Sequence, residues 1–134
     1  MLAVPTETVF VDRSLGASVV PDGLRAAGLT IVTMREHYGE AAGARVADVE
    51  WIEMATRSGW LVFHKDADIR RRLDERRAVV ENSGRMFCIA NTNVSGAEIL
   101  RRYLGAMPAI TAATPEPGPY IYSVEATRMR RLLP

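Results

Sequence analysis

An α/β fold built on a mainly parallel sheet is predicted by three observations. Short apolar, β-branched runs alternate with longer stretches of helical character. Polar residues follow those runs directly, as at Asp12 after Thr8–Val11 and at Asp66 after Trp60–His64. Glycines (Gly28, Gly59, Gly84) stand where the helices must stop. Strands that alternate with helices pair in parallel with helices on both faces, and right-handed crossovers bring every strand's C-terminal end to one edge. With 134 residues the chain is expected to be one domain, 1–134, large enough for a hydrophobic core.

Thr8–Asp12 reads as a short buried strand ending in a polar turn. Leu15–Ala27 follows as a helical stretch interrupted at Pro21, with Pro21 placed to open the main helix and Gly28 to cap it. Leu29–Thr33 is a second strand. Glu36–Ala44 is polar and contains glycine, so it reads as a functional loop or a short helix. Ala47–Ser58 is the next helix, closed by Gly59, and Trp60–His64 the third strand.

Asp68 is placed to cap a helix running to about Asn82, which carries Arg70, Arg71, Arg72, Arg76 and Arg77. Met86–Ala90 is the fourth strand. Ser95 caps a helix to about Met107, whose apolar side is Ile99, Leu100, Tyr103 and Leu104. Pro115–Pro119 is a stiff connector. Tyr120–Val124 and Met129–Leu133 read as a closing hairpin, or as one strand with a basic tail, so residues 115–134 form a C-terminal extension.

Composition narrows the function classes. A hydrophobic content of 48% with 25% charged residues is that of an ordinary globular protein. A net charge of +1 makes no bulk case for nucleic acid, which leaves local clustering to make one. The single cysteine, Cys88, excludes an internal disulfide and suits a reducing compartment. No run approaches the roughly 18 apolar residues of a membrane span, and Met1–Pro5 lacks a basic leader. The expected location is the cytoplasm, with no membrane partner.

Acids collect on the predicted strand-end edge. Asp12 ends the first strand, Glu36 and Glu40 follow the second, and Asp66 and Asp68 follow the third. Asp48 and Glu50 open a helix that begins on the same edge, and Asp48 lies eighteen residues before Asp66. Helix capping and the helix dipole explain any one of these acids. They do not require an acid at every strand end, so the set points to a metal site. Mg²⁺ and Mn²⁺ prefer oxygen ligands, and such ions assist in-line displacement at phosphorus. Zinc is not expected, because there is one cysteine and His37 and His64 fall in separate loops with no ligand spacing.

Val9-Phe10-Val11-Asp12, Asp48-Val49-Glu50-Trp51-Ile52 and Leu61-Val62-Phe63-His64-Lys65-Asp66-Ala67-Asp68 resemble the motifs of the PIN-like ribonucleases. Phe10-Val11-Asp12-Arg13-Ser14-Leu15-Gly16 and Arg35-Glu36-His37-Tyr38-Gly39 resemble a divergent PIN-like subgroup of the VapC-type toxins of bacterial toxin–antitoxin pairs. His64 stands where the family usually has Thr, in a Thr-x-Asp strand end. The resemblance covers roughly residues 8–95. It implies a three-layer α/β/α domain with a mainly parallel sheet of four to five strands. It also implies a Mg²⁺- or Mn²⁺-dependent endoribonuclease, which cuts structured RNA by a metal-activated water. Asp12, Glu36, Asp48 and Asp66 would be catalytic, with Asp12, Asp48, Asp66 and Asp68 as metal ligands. Glu40 and Glu50 are alternatives to Glu36 as the middle acid. The implied partners are a small antitoxin protein and RNA, in a homodimer or a toxin–antitoxin hetero-oligomer.

Arg13, Arg70, Arg71, Arg72, Asn91 and Asn93 are the candidate RNA contacts. Three consecutive arginines fan around a helix, so one or two should face the cleft rim; pairing with Asp74 and Glu75 is the plainer alternative. A receiver-type phosphoacceptor fits poorly, because Asp12 stands alone and Lys65 follows the third strand rather than the last. A degenerate PIN-like module that only binds RNA or a protein is the remaining alternative.

Overall fold

The computed structural model describes residues 2–90 and 93–134. Strands β1 (Val9–Val11), β2 (Ile31–Thr33), β3 (Leu61–His64), β4 (Arg85–Cys88), β5 (Tyr120–Val124) and β6 (Met129–Leu133) form one sheet in the order β2-β1-β3-β4-β5-β6. Neighbours from β2 to β5 run parallel, and β6 returns antiparallel against β5. The sheet has six strands rather than four to five because both arms of the C-terminal hairpin join it. β5 docks in parallel on β4, and β6 covers the edge that β5 would otherwise leave open.

The helices are α1 (Val19–Ala26), α2 (Met34–Tyr38), α3 (Glu40–Arg45), α4 (Asp48–Arg57), α5 (Leu73–Glu81), α6 (Gly96–Gly105) and α7 (Met107–Ala113). Strand side chains alternate between two apolar clusters, which is what buries both faces of a parallel sheet. Val9, Val11, Leu61 and Phe63 face Val20 and Leu24 of α1, Ile99 and Tyr103 of α6, and Met107 and Ile110 of α7. Phe10, Val62 and Met86 face Trp51, Ile52 and Ala55 of α4 and Ala78 and Val79 of α5. The result is the three-layer α/β/α arrangement.

Tyr103 ties the first helical layer to the strand ends. Its ring stacks on Phe63 with centroids 4.2 Å apart, a geometry worth about 0.5–1.5 kcal/mol beyond area burial. Its hydroxyl donates to the carbonyls of Phe87 (2.8 Å) and His64 (3.2 Å). Those carbonyls lie at the C-terminal ends of β4 and β3, so α6 braces the edge where the acids gather.

Several boundaries differ from the sequence reading. α1 begins at Val19, and Pro21 falls inside its first turn, where a missing N–H costs nothing. The Glu36–Ala44 stretch is parts of two short helices, α2 and α3, separated by Gly39 at φ 88°. The helix expected from Asp68 to Asn82 is broken. Asp66 accepts a hydrogen bond from the Asp68 amide (3.0 Å), and Ala67–Arg70 winds as a 3-10 turn. Arg72 is extended at φ −77° and ψ 122°, and only then does α5 begin. Arg70, Arg71 and Arg72 therefore do not fan around one helix. Among the described residues no helix is long and apolar enough to cross a membrane.

Candidate metal centre

The parallel register brings the first and third strand ends level. Val11 pairs with Phe63, and the Asp12 amide donates to the Phe63 carbonyl (3.1 Å). Asp12 thereby sits beside His64 at the edge, 5% exposed. Asp48 is the first residue of α4, but it makes no capping bond. Its Oδ1 instead accepts from Trp51 Nε1 (2.9 Å) and Arg13 Nη2 (3.2 Å). The capping explanation for Asp48 is thus replaced by a fixed side chain turned back along α4.

Asp66 follows β3 by two residues, and His64 sets its turn. His64 Nδ1 accepts the Asp66 amide (3.2 Å), the service a Thr hydroxyl performs in a similar turn. Burial holds His64 neutral, with its pKa pushed down to about 4.

Carboxylate oxygens of Asp48, Asp66 and Glu75 lie within 4.8 Å of one another, in a geometry that can hold a metal ion. Glu75 was read from the sequence only as a partner for the arginines, not as a member of the acidic group. It lies in the first turn of α5, is buried, and reaches the group only because the backbone breaks before that helix. An i,i+3 spacing from Arg72 was its one visible signal. Arg72 Nη1 donates to Asp66 Oδ2 (2.5 Å) and to Glu75 Oε1 (3.1 Å), so this arginine faces the acids.

The other sequence candidates are dispersed. Glu36 is not a member of the group: it completes a capping box with Thr33 and pairs with Arg25 (2.6 Å). Those bonds, the Thr33 amide first, hold its carboxyl below the usual range. Glu40 lines a cavity of about 330 Å³ together with Asp12, Arg13, Thr33, Arg35 and Gly43. Asp68 is exposed and pairs with Arg71 at 3.5 Å, outside the group. Arg13 is anchored by the carbonyls of Gly43 (3.0 Å) and Val46 (2.9 Å) as well as by Asp48. Arg70 makes no ion pair among the described residues. Asn93 is exposed, and Asn91 lies outside the described residues.

The electrostatics favour a cation here. Burial raises the Asp12 carboxyl, and the Ser14 hydroxyl, donating at 2.6 Å, offsets this in part. Asp12 Oδ1 is buried with no hydrogen-bond partner among the described residues. Glu75 is likewise raised, first by burial, with the charges of Asp48 and Asp66 adding to the rise. Asp48, Asp66 and Glu75 offer an all-oxygen donor set of the kind hard divalent ions prefer, and the buried Asp12 carboxyl is near enough to feel the Asp48 charge.

Known proteins agree with this architecture. The family model described as "PIN like domain" matches residues 8–91, which hold the whole acidic group. "Putative ribonuclease VapC45" of Mycobacterium tuberculosis is 44% identical over 132 residues, covering 98% of this chain and 96% of that protein. No solved structure matches. From the family match over the sheet edge and the near-full-length identity, the chain belongs to the PIN-like domain family, as a VapC-type member.

Proposed function

We propose that the chain is a metal-dependent endoribonuclease, the toxin of a type II toxin–antitoxin pair, that hydrolyses phosphodiester bonds in structured RNA. The observation that carries this reading is the convergence of Asp48, Asp66 and Glu75 within 4.8 Å, beside a buried Asp12 with an unpartnered oxygen. The similarity to a protein named as a ribonuclease supports RNA as substrate. Asp48, Asp66 and Glu75, with Asp12 beside them, would hold Mg²⁺ or Mn²⁺, Glu75 taking the place expected for Glu36. A bound ion would supply water activation and charge neutralisation at phosphorus.

The remaining work falls to the chain. Arg13 holds Asp48 in place from two backbone carbonyls, and His64 sets the turn that aims Asp66. The 330 Å³ cavity beside Asp12 seats the nucleotide next to the cut, and Arg70 adds cationic charge near the strand ends. A small antitoxin protein in the cytoplasm blocks this cleft.

The test is cleavage of a structured RNA by the purified protein. EDTA should abolish it, and Mn²⁺ or Mg²⁺ should restore it; cleavage that survives EDTA, or none with either ion, defeats the reading. A second experiment reads the role of His64. His64→Leu removes the acceptor for the Asp66 amide and should weaken Mn²⁺ binding about 10–100-fold, the usual cost of losing a residue that orients a ligand. His64→Asn keeps an acceptor and should stay within a few-fold of the parent. Equal Mn²⁺ affinity in the two variants would show that the Asp66 turn holds without His64.

A further inference from the structure

The acidic group already holds a cation that belongs to the chain. Arg72 Nη1 bonds Asp66 Oδ2 and Glu75 Oε1, and Nη2 reaches Asp66 Oδ1 at 3.5 Å. All of these bonds go to carboxylates, and both acids belong to the group that can hold a metal. Arg13 makes a different attachment, since two of its three bonds go to the backbone carbonyls of Gly43 and Val46. Nothing comparable ties down Arg72. Its side chain is 43% exposed and springs from an extended residue between a 3-10 turn and α5. It can leave without breaking a backbone contact.

Asp66 and Glu75 cannot serve a guanidinium and a divalent ion with the same oxygens, and two cations in one seat repel. With 43% of its side chain exposed, Arg72 is also accessible to an arriving polyanion.

We propose that Arg72 is a resident counter-cation, displaced from Asp66 and Glu75 by the divalent ion and redirected to an RNA phosphate at the cleft rim. This rests on the metal-dependent ribonuclease reading. It makes one side chain both the stabiliser of the ion-free acids and a phosphate ligand of the loaded enzyme. It also makes ion binding and RNA binding reinforce each other, since the ion frees the cation that RNA needs.

Mn²⁺ titration calorimetry without RNA tests the displacement. Arg72→Gln should bind Mn²⁺ about 10-fold more tightly than the parent, a shift of about 1.4 kcal/mol. Arg72→Lys, which keeps the charge, should stay near the parent. Arg71→Gln, which loses only the partner of Asp68, should not change. With Mn²⁺ saturating, Arg72→Gln should raise KM for RNA, and the salt dependence of KM should fall by about one phosphate contact. Equal Mn²⁺ affinity in the parent and Arg72→Gln overturns the displacement but leaves the metal reading standing. An unchanged KM with unchanged salt dependence overturns the phosphate contact. No Mn²⁺ binding by either protein overturns both readings. Should Arg72→Gln not fold, the parent suffices: its Arg72 Nε–H resonance should shift as Mg²⁺ saturates the site. A resonance that stays put through saturation overturns the proposal.

Discussion

Asp48→Asn is expected to cut metal-stimulated RNA cleavage by at least about 100-fold while leaving the fold intact. Even residues that only orient a metal ligand cost 10–100-fold when lost, so a ligand sets a higher floor. The structural cost of this change is small. Asp48 makes no capping bond at α4, so no cap is lost. Asn retains an oxygen to accept from Trp51 Nε1, now 2.9 Å from Oδ1. Its ion pair with Arg13 joins side chains 36% and 38% exposed, a setting worth about 0–1 kcal/mol. An acid in a first helical turn adds about 0.3–1 kcal/mol through the dipole. Thermal unfolding should therefore move by only a few degrees, while Mn²⁺ binding and turnover collapse together. Full activity in Asp48→Asn would return this residue to a purely structural task, that of anchoring Trp51 and Arg13.

The meeting of Asp48 and Asp66 was legible because it follows from topology, which also brings Asp12 to the same edge. A parallel sheet with right-handed crossovers leaves no other place for two strand ends and the start of the intervening helix. The arrival of Glu75 was not legible for a local reason. Asp66 captures the Asp68 amide, its side chain competing with helix formation, and the chain turns tightly through Ala67–Arg70 before α5 starts. On the uninterrupted helix first expected, the three arginines would be spread around the axis. The break instead turns Arg72 toward Asp66 and carries Glu75 with it.

Glu36 is the opposite case, where a local signal was present in the sequence but not used. Thr33-Met34-Arg35-Glu36 has the Thr-x-x-Glu spacing of a capping box, and the structure contains that box with both of its bonds. The resemblance supplied an expectation of a middle acid, and the nearest glutamate met it. Local chemistry already had a use for that side chain. The hairpin was likewise readable as a pair of strands, but its docking on β4 was not. That docking depends on long-range burial of Tyr120 and Ile121, which no local pattern encodes.

Asp12→Asn should separate stability from function: the variant is expected to be inactive yet more stable than the parent at neutral pH. Asp12 is 5% exposed, and its Oδ1 lacks a hydrogen-bond partner among the described residues. A buried polar atom left unsatisfied costs about 1–3 kcal/mol, more when charged. Asn keeps an acceptor for the Ser14 hydroxyl, which donates at 2.6 Å, and removes the charge. A gain on the order of 1 kcal/mol follows, or a few degrees in melting temperature for a domain of this size. The sign of the pH dependence is fixed by the direction of the shift. Burial raises the folded-state pKa of Asp12 above its ordinary value of 3.8, so its contribution to stability is full below that value. That contribution is lost as pH rises through the folded value. The advantage of Asp12→Asn should accordingly be largest at pH 7 and vanish as pH falls toward 3.8. Mn²⁺ should reverse the ranking at neutral pH. Binding of the ion stabilises only a protein that can hold it, by about 2.7 kcal/mol at a hundredfold excess over Kd, and the variant lacks a ligand. Urea unfolding at several pH values, with and without Mn²⁺, measures all of this. Lower stability of Asp12→Asn at pH 7 without metal would mean that the charge is compensated within the fold, and Asp12 would no longer be evidence for a cation.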